Sequence, residues 1–280
     1  MIRTAIAVAA LALAACATPA TQSAAPDAAL TAAVAGEWRK AEDRARDDYR
    51  KPAQVLAFWG LKPNATVIEL IPGGGYWVDI LAPYAKATGG RYFVTAADLT
   101  NPNLSEAARR NRTAFEQRVA NTAVYGNVTL VNFSAQSGPL GPDNSADLVL
   151  TSRNVHNWMA AGILDRVLGQ AFAVLKPGGV FAVEEHRANP GEQDPKAENG
   201  YVTEAYVIAA AERAGFRLAQ RSELLANPRD TKDHPFGVWT LPPVKRTAPA
   251  GQPANPAFDR TKYDAIGESD RMTLRFVKPG

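Results

Sequence analysis

The sequence predicts an α/β fold: a three-layer sandwich with helices on both faces of a mostly parallel, seven-stranded sheet that ends in an antiparallel C-terminal strand. Three observations carry this expectation. Runs of β-branched and aromatic residues alternate with helical patterns from residue 65 onward, the order that covers a parallel sheet on both faces. The first such run, 65–71, passes straight into Gly73-Gly74-Gly75. The last two runs, 216–222 and 272–277, have little helix between them, which suggests an antiparallel edge.

The elements follow in order. From Glu37 the segment "EWRKAEDRARDDYRKPAQVLAFWG" is densely charged and then sets Val55, Leu56 and Trp59 at helical spacing, closed by Gly60 and Pro63. Its charges suit a solvated helix face with i, i+3 and i+4 pairs, or a lid over a nearby site. After the glycines, Trp77, Ile80, Leu81 and Tyr84 mark a helix at i, i+3, i+4, i+7. "RYFVTA" is a strand, 104–119 a charged helix, and "NVTLVNF" and "ADLVLTS" are strands. A long helix presents Ile163, Leu164, Val167, Leu168, Phe172 and Leu175, and "KPGG" then turns the chain into strand "VFAVEE". A helix over about 202–214 stops at Gly215, followed by strands "FRLAQRS" and "MTLRFV". Between the last two, 242–270 is Pro-rich and polar and reads as an irregular excursion. Trp59 and Trp158 read as core or pocket wall.

The N-terminus reads as targeting rather than fold. One charge, Arg3, precedes an apolar run from Ala5 to Ala15, too short to span a bilayer but suited to a signal sequence. Leu13-Ala14-Ala15-Cys16 resembles a bacterial lipobox, and Cys16 is the single cysteine of the chain. The expected organisation is a lipoprotein-type signal peptide over 1–16, an Ala/Pro-rich tether over 17–36, and one domain over 37–280. The expected location is the periplasm, with membrane attachment only through a lipid on Cys16, at the outer membrane. The 280 residues carry a net charge of +3 with Lys and Arg spread along the chain, so nucleic acid is not an expected partner.

Three chemistries compete for the glycine loop. A triphosphate loop needs Lys and Ser or Thr after its last glycine, whereas Tyr76 and Trp77 stand there. A dinucleotide loop needs a third glycine for helix packing, and Val78 occupies that position. A nucleoside cofactor without phosphate needs an acid in the first strand and a permissive turn, which Glu69, Pro72, Gly73, Gly74 and Gly75 supply.

On these residues the chain resembles the class I S-adenosylmethionine-dependent methyltransferases. More narrowly, it is similar to a group of exported bacterial methyltransferases in which a D-R-x-x-D-x-x-R-K-P segment precedes the loop. Here that segment is Asp43, Arg44, Asp47, Arg50, Lys51 and Pro52. "ELIPGGGY", "DLVLTSRNVHNW", "LKPGGVFAVEEHRA" and "EAYVIAAAERAGF" extend the likeness over roughly 43–278. The resemblance implies a Rossmann-like fold, S-adenosyl-L-methionine as cofactor and methyl transfer to a small-molecule substrate. The chain departs from the family at Ile71, where glycine is usual, and at Asp98, two residues later than expected for a ribose-binding acid. After the third strand it offers Ser134 and Gln136 in place of an acid.

Ligands of open parallel sheets bind beyond the carboxyl ends of the strands. That rule nominates Glu69, Pro72, Gly73, Gly74, Gly75, Asp98, Ser134 and Asn154 for the cofactor, and His156, His186 and Glu185 for catalysis. His156 is the first candidate for a base because imidazole titrates near neutral pH; His186 is the second, and Glu185 could orient either. Two other readings stay open. One is a ligand-binding protein that keeps the fold without catalysis. The other is a metal-dependent hydrolase on the same His and Glu residues, though no H-x-x-x-H or H-x-H spacing marks a metal site and none is expected.

Overall fold

The computed structural model describes residues 27–280. The expected signal peptide, Cys16 and the first half of the expected tether, 17–26, lie outside them. Residues 28–34, expected as tether, instead form helix α1 (Ala28–Val34). Asp27 caps it by accepting from the Leu30 N–H at 2.6 Å, and Tyr84 donates to the same carboxylate at 2.7 Å. Leu30 and Ala33 are buried. The apolar spacing of this short Ala-rich stretch, and not its composition, decides its state.

The charged segment also departs from a single helix. It folds as three short pieces, α2 (Ala41–Arg44), α3 (Asp47–Arg50) and α4 (Pro52–Phe58), broken at Lys51, whose φ is +41°. Pro52 explains the break, because it cannot donate to the preceding turn but suits the first position of a new helix.

Strand β1 (Thr66–Leu70) leads to α5 (Val78–Thr88), β2 (Arg91–Ala97), α6 (Glu106–Val119), α7 (Thr122–Tyr125) and β3 (Val128–Phe133). The second half runs β4 (Ala146–Ser152), α8 (Val155–Ala160), α9 (Leu164–Val174), β5 (Leu175–His186), α10 (Glu204–Arg213), β6 (Arg217–Ser222), β7 (Pro235–Val238), α11 (Thr261–Ile266) and β8 (Arg271–Val277). The sheet has seven strands in the order β3-β2-β1-β4-β5-β8-β6, with β8 antiparallel to both neighbours. The expected Rossmann-like three-layer sandwich is thus the fold. The excursion over 242–270 is not wholly irregular, since it contains α11.

Alternation along the strands divides two cores. Ile68, Leu70, Val149, Phe181, Val183 and Leu274 pack with α8, α9 and α10, whereas Val67, Val94, Leu148, Leu150 and Ala182 pack with α1, α4 and α5. The "KPGG" turn is a bulge at the start of β5, where pairing jumps from Ala146–Leu175 to Leu148–Val180. It lies at the end of the sheet opposite the glycine loop. Among the described residues no helix is long and apolar enough to cross a membrane.

Candidate functional site

Two cavities lie side by side at the carboxyl edge of the sheet. They share Ile71, Pro72 and Gly73. The first, about 250 Å³, is polar and is walled by the glycine turn, the ends of β4 and β5, the α2–α3 segment and residues 238–244. The second, about 380 Å³, is lined mainly by apolar side chains, among them Ala96, Ala97, Ala108, Phe115 and Phe133. One ligand crossing the turn would have a polar end and an apolar end.

The three glycines divide their duties. A Cβ on Gly73 or Gly74 would meet nothing within 4 Å, so both present open backbone to the cavity. A Cβ on Gly75 would come within 2.3 Å of the Arg118 guanidinium. Arg118 grips the loop from behind: it donates to the Gly74 carbonyl at 2.9 Å and pairs with buried Asp79 at 2.5 Å. Gly75, expected at the cofactor, therefore faces the scaffold. Ile71 sits at φ +49°, a strained conformation for a β-branched residue. Two contacts hold it there: its N–H donates to Thr95 Oγ1 at 2.7 Å, and its carbonyl accepts from Asn154 Nδ2 at 3.2 Å.

Asn154 is a staple at this point. Its amide nitrogen also lies within 3.2 Å of the Leu70 and Ser152 carbonyls and of Thr151 Oγ1, which ties the end of β1 to that of β4. Asp98 and Ser134, expected to hold ribose and base, line neither cavity. The Asp98 carboxylate accepts from the Thr100 hydroxyl at 2.7 Å and the Thr100 N–H at 3.0 Å, with the Ser134 hydroxyl at 3.4 Å. The Thr100 hydroxyl, first, and the Thr100 N–H, second, hold its pKa below the ordinary aspartate value. Its register, two residues late, leaves it capping its own turn.

Glu69 lines the polar cavity from the buried end of β1 and accepts from the Tyr92 hydroxyl. Burial pushes its carboxyl up to about 8. The folded chain thus keeps this proton up to about pH 8, whereas the unfolded chain releases it near 4.5. Stability is therefore expected to fall as pH rises between those values, with a slope approaching ~1.4 kcal/mol per pH unit. Glu69→Gln, which mimics the protonated acid, should flatten the curve. Urea unfolding at a series of pH values checks this, and an unchanged slope in the variant would rule Glu69 out as the source.

His156, Glu185 and His186 come together as expected. Glu185, fully buried, accepts from four nitrogens: His156 Nδ1 at 2.9 Å and the His186 N–H at 2.8 Å on one oxygen, the Val155 N–H at 2.6 Å and the His156 N–H at 3.3 Å on the other. Both of its oxygens are thus engaged as acceptors. Glu185 fixes the His156 tautomer with the proton on Nδ1 and leaves Nε2 to the cavity that the ring lines. His186 differs. Its Nδ1 lies 2.6 Å from Ser269 Oγ, and burial first, then His156, Arg153 and Arg271, push its pKa well below the ordinary histidine value. His186 is thus a weak proton acceptor. Donor atoms of His156, Glu185 and His186 lie within 4.8 Å of one another, but the oxygens of Glu185 are already committed to N–H donors.

The α2–α3 charges divide: Glu42, Arg44 and Asp48 are exposed as a solvated face would have them, whereas Asp43, Arg46, Asp47 and Arg50 are drawn inward. Arg50 and Arg271 are buried on Glu268 at 3.1 and 3.0 Å, Arg46 reaches the same carboxylate at 2.8 Å, and Arg271 also pairs with Glu184 at 2.6 Å. Arg39 grips Asp47 through two 2.7 Å bonds, and Tyr76 donates to that carboxylate at 2.5 Å. This network presses the segment over the glycine turn as a cover, and Asp43, Arg46 and Arg50 line the cavity. Sequence reasoning missed Glu268, Ser269 and Trp239. The charged "GESDR" run at 267–271 was the available signal, but nothing local in it names a partner more than 200 residues away.

Comparison with known proteins agrees with this geometry. Residues 67–179 match the family model described as "Methyltransferase domain". The ubiquinone/menaquinone biosynthesis C-methyltransferase UbiE of Hydrogenovibrio crunogenus is 34% identical over 131 residues, 45% of this chain and 44% of that protein. The Escherichia coli enzyme of the same name is 30% identical over 142 residues, 51% of each. The chain spans about half the length of the curated relatives it matches. Among solved structures, the protein bound to the Trm112 methyltransferase activator of Haloferax volcanii superposes with a TM-score of 0.50 at 17% identity, over 91% of this chain and 99% of that one. The [4+2]-cyclase SpnF does so with a TM-score of 0.50 at 17% identity, over 87% and 83%. These two likenesses show the fold, and SpnF illustrates that the fold alone does not set the reaction.

Proposed function

We propose that the paired cavities bind S-adenosyl-L-methionine and that the protein transfers its methyl group to a small-molecule acceptor. One observation carries the reading: the open Gly73-Gly74 backbone joins an apolar cavity to a polar one, and the polar one contains a carboxylate-oriented histidine. The cofactor supplies a methyl group already activated on a sulfonium.

The chain's own residues do the rest. Ala96, Ala97, Phe115 and Phe133 offer the nucleoside an apolar slot, and Gly73 and Gly74 let the backbone approach without a side chain in the way. The α2–α3 cover shields the polar cavity from water. Transfer depends mostly on holding nucleophile and methyl carbon in line. His156 Nε2 accepts the proton that an oxygen, nitrogen or carbon acid must lose, and Glu185 stabilises the resulting imidazolium. The test is calorimetric titration of the full chain with S-adenosylmethionine and S-adenosylhomocysteine; no heat of binding at millimolar ligand removes the reading.

A second reading, ligand binding without transfer, draws on Asp98, whose carboxylate is spent on its own turn. Export and lipid anchoring through Cys16 are part of the proposal and rest on the lipobox-like Leu13-Ala14-Ala15-Cys16. Metabolic labelling with palmitate, lost in Cys16→Ser, checks them.

A further inference from the structure

The geometry points to a carboxylate-binding site in the polar cavity, built by Arg50 and Arg153. It deepens the reading of the same cleft and rests on it. Arg50 is only 1% exposed yet lines the cavity. Its Nε donates to both oxygens of Glu268 at 3.1 Å, and its guanidinium lies 4.5 Å from the centre of the Tyr76 ring. These contacts fix its plane. Its Nη2 is buried and has no hydrogen-bond partner. A buried N–H donor without an acceptor costs free energy that a bound anion would recover.

Arg153 supplies an independent observation. It follows β4 at φ +60° and lines the same cavity. Its single side-chain hydrogen bond among the described residues runs from Nε to Ser152 Oγ at 3.5 Å, and no carboxylate lies within ion-pair distance. The remaining charges do not cancel it. Asp43 and Arg46 pair with each other, and burial pushes the Glu69 carboxyl toward its neutral form. The cavity wall therefore holds guanidinium groups in excess. A planar carboxylate matches the fork of a guanidinium, where a bulkier dianion would need more donors.

Two sources can bring that carboxylate: the amino-acid tail of the cofactor or the acceptor. Calorimetry on the full chain separates them with defined probes. S-adenosylhomocysteine carries the tail and 5′-methylthioadenosine lacks it; benzoate carries a carboxylate and benzamide does not. Arg153→Asn is the first variant, because Asn tolerates positive φ. Arg50→Lys is the second, because it keeps a cation beside Glu268 but loses the fork.

If the tail is the ligand, S-adenosylhomocysteine binds about tenfold or more tightly than methylthioadenosine, and both variants shrink that ratio several-fold. If the acceptor is, the two nucleosides bind alike in all three proteins. Benzoate then binds the S-adenosylhomocysteine-loaded wild type in preference to benzamide, and the variants lose that preference. A carboxylate preference, in whichever arm shows one, that neither variant reduces, or no preference for a carboxylate in either arm, overturns the site. Should neither nucleoside bind, the cofactor reading fails by itself, and benzoate against benzamide on the free chain still decides the carboxylate site.

Discussion

His156→Gln is expected to lower methyl transfer by ~10²–10⁴-fold, the usual worth of a positioned general base, while S-adenosylhomocysteine still binds. The reasoning is geometric. Glu185 accepts a hydrogen bond from His156 Nδ1 at 2.9 Å and is itself held by three backbone N–H groups, so turning the ring would cost a buried carboxylate one of its four donors. Glu185→Gln should resemble His156→Gln in rate, because an amide directs an NH₂ toward donors and favours the wrong tautomer. His186→Gln should cost less, since burial already makes that imidazole a weak proton acceptor. Single-turnover rates with separately measured binding check the order. Equal losses at both histidines would remove the distinction drawn between them.

Glu268→Ala is expected to destabilise the fold by ~3–5 kcal/mol, the range for breaking a buried ion pair from one side. Glu268 faces Arg46, Arg50 and Arg271 at once, and its own side chain is nearly inaccessible. Its loss leaves three guanidiniums around an empty position, with Glu184 and Asp43 as the neighbouring anions. At roughly 2–4 °C per kcal/mol for a chain of this size, the melting temperature should drop by roughly 10 °C. Glu268→Gln should cost less, since its oxygen still accepts. Chemical denaturation with coincident probes measures both. A loss below ~1 kcal/mol in Glu268→Ala would place the pair among weak surface bridges and remove the covering role of the α2–α3 segment.

The fold was legible because its signals are local. "ADLVLTS" bounds β4 as observed, and "RYFVTA" and "NVTLVNF" match β2 and β3 to within one residue. The strand-end rule likewise found Glu69, Gly73, Gly74, His156, Glu185 and His186 in one place. What escaped was non-local or conformational. The partners of Arg46 and Arg50 lie more than 200 residues away, and charge by itself does not say whom it meets. Asp98 and Gly75 have the right letters at nearly the right positions, but the Asp98 carboxylate turns into its own loop and the missing Cβ of Gly75 makes room for Arg118. The stretch at 28–34 looked like tether by composition, yet Leu30 and Ala33 find α5. A chain trimmed at residue 36 would lose that contact and the Asp27–Tyr84 bond, so ligand binding belongs on the full chain.

Gly74 gives the most direct test of the central claim that the glycine turn is the floor of a cofactor site. Unlike Gly73 and Gly75 it has no positive φ, and a Cβ there enters open space. Gly74→Val can therefore keep the fold while filling the cradle. Calorimetric titration with S-adenosylhomocysteine should show binding to the wild-type chain and a loss of about a hundredfold or more in Gly74→Val, as expected when a ligand must give up a buried contact surface, with the melting temperature little changed. Undiminished affinity in a folded Gly74→Val chain would contradict the account.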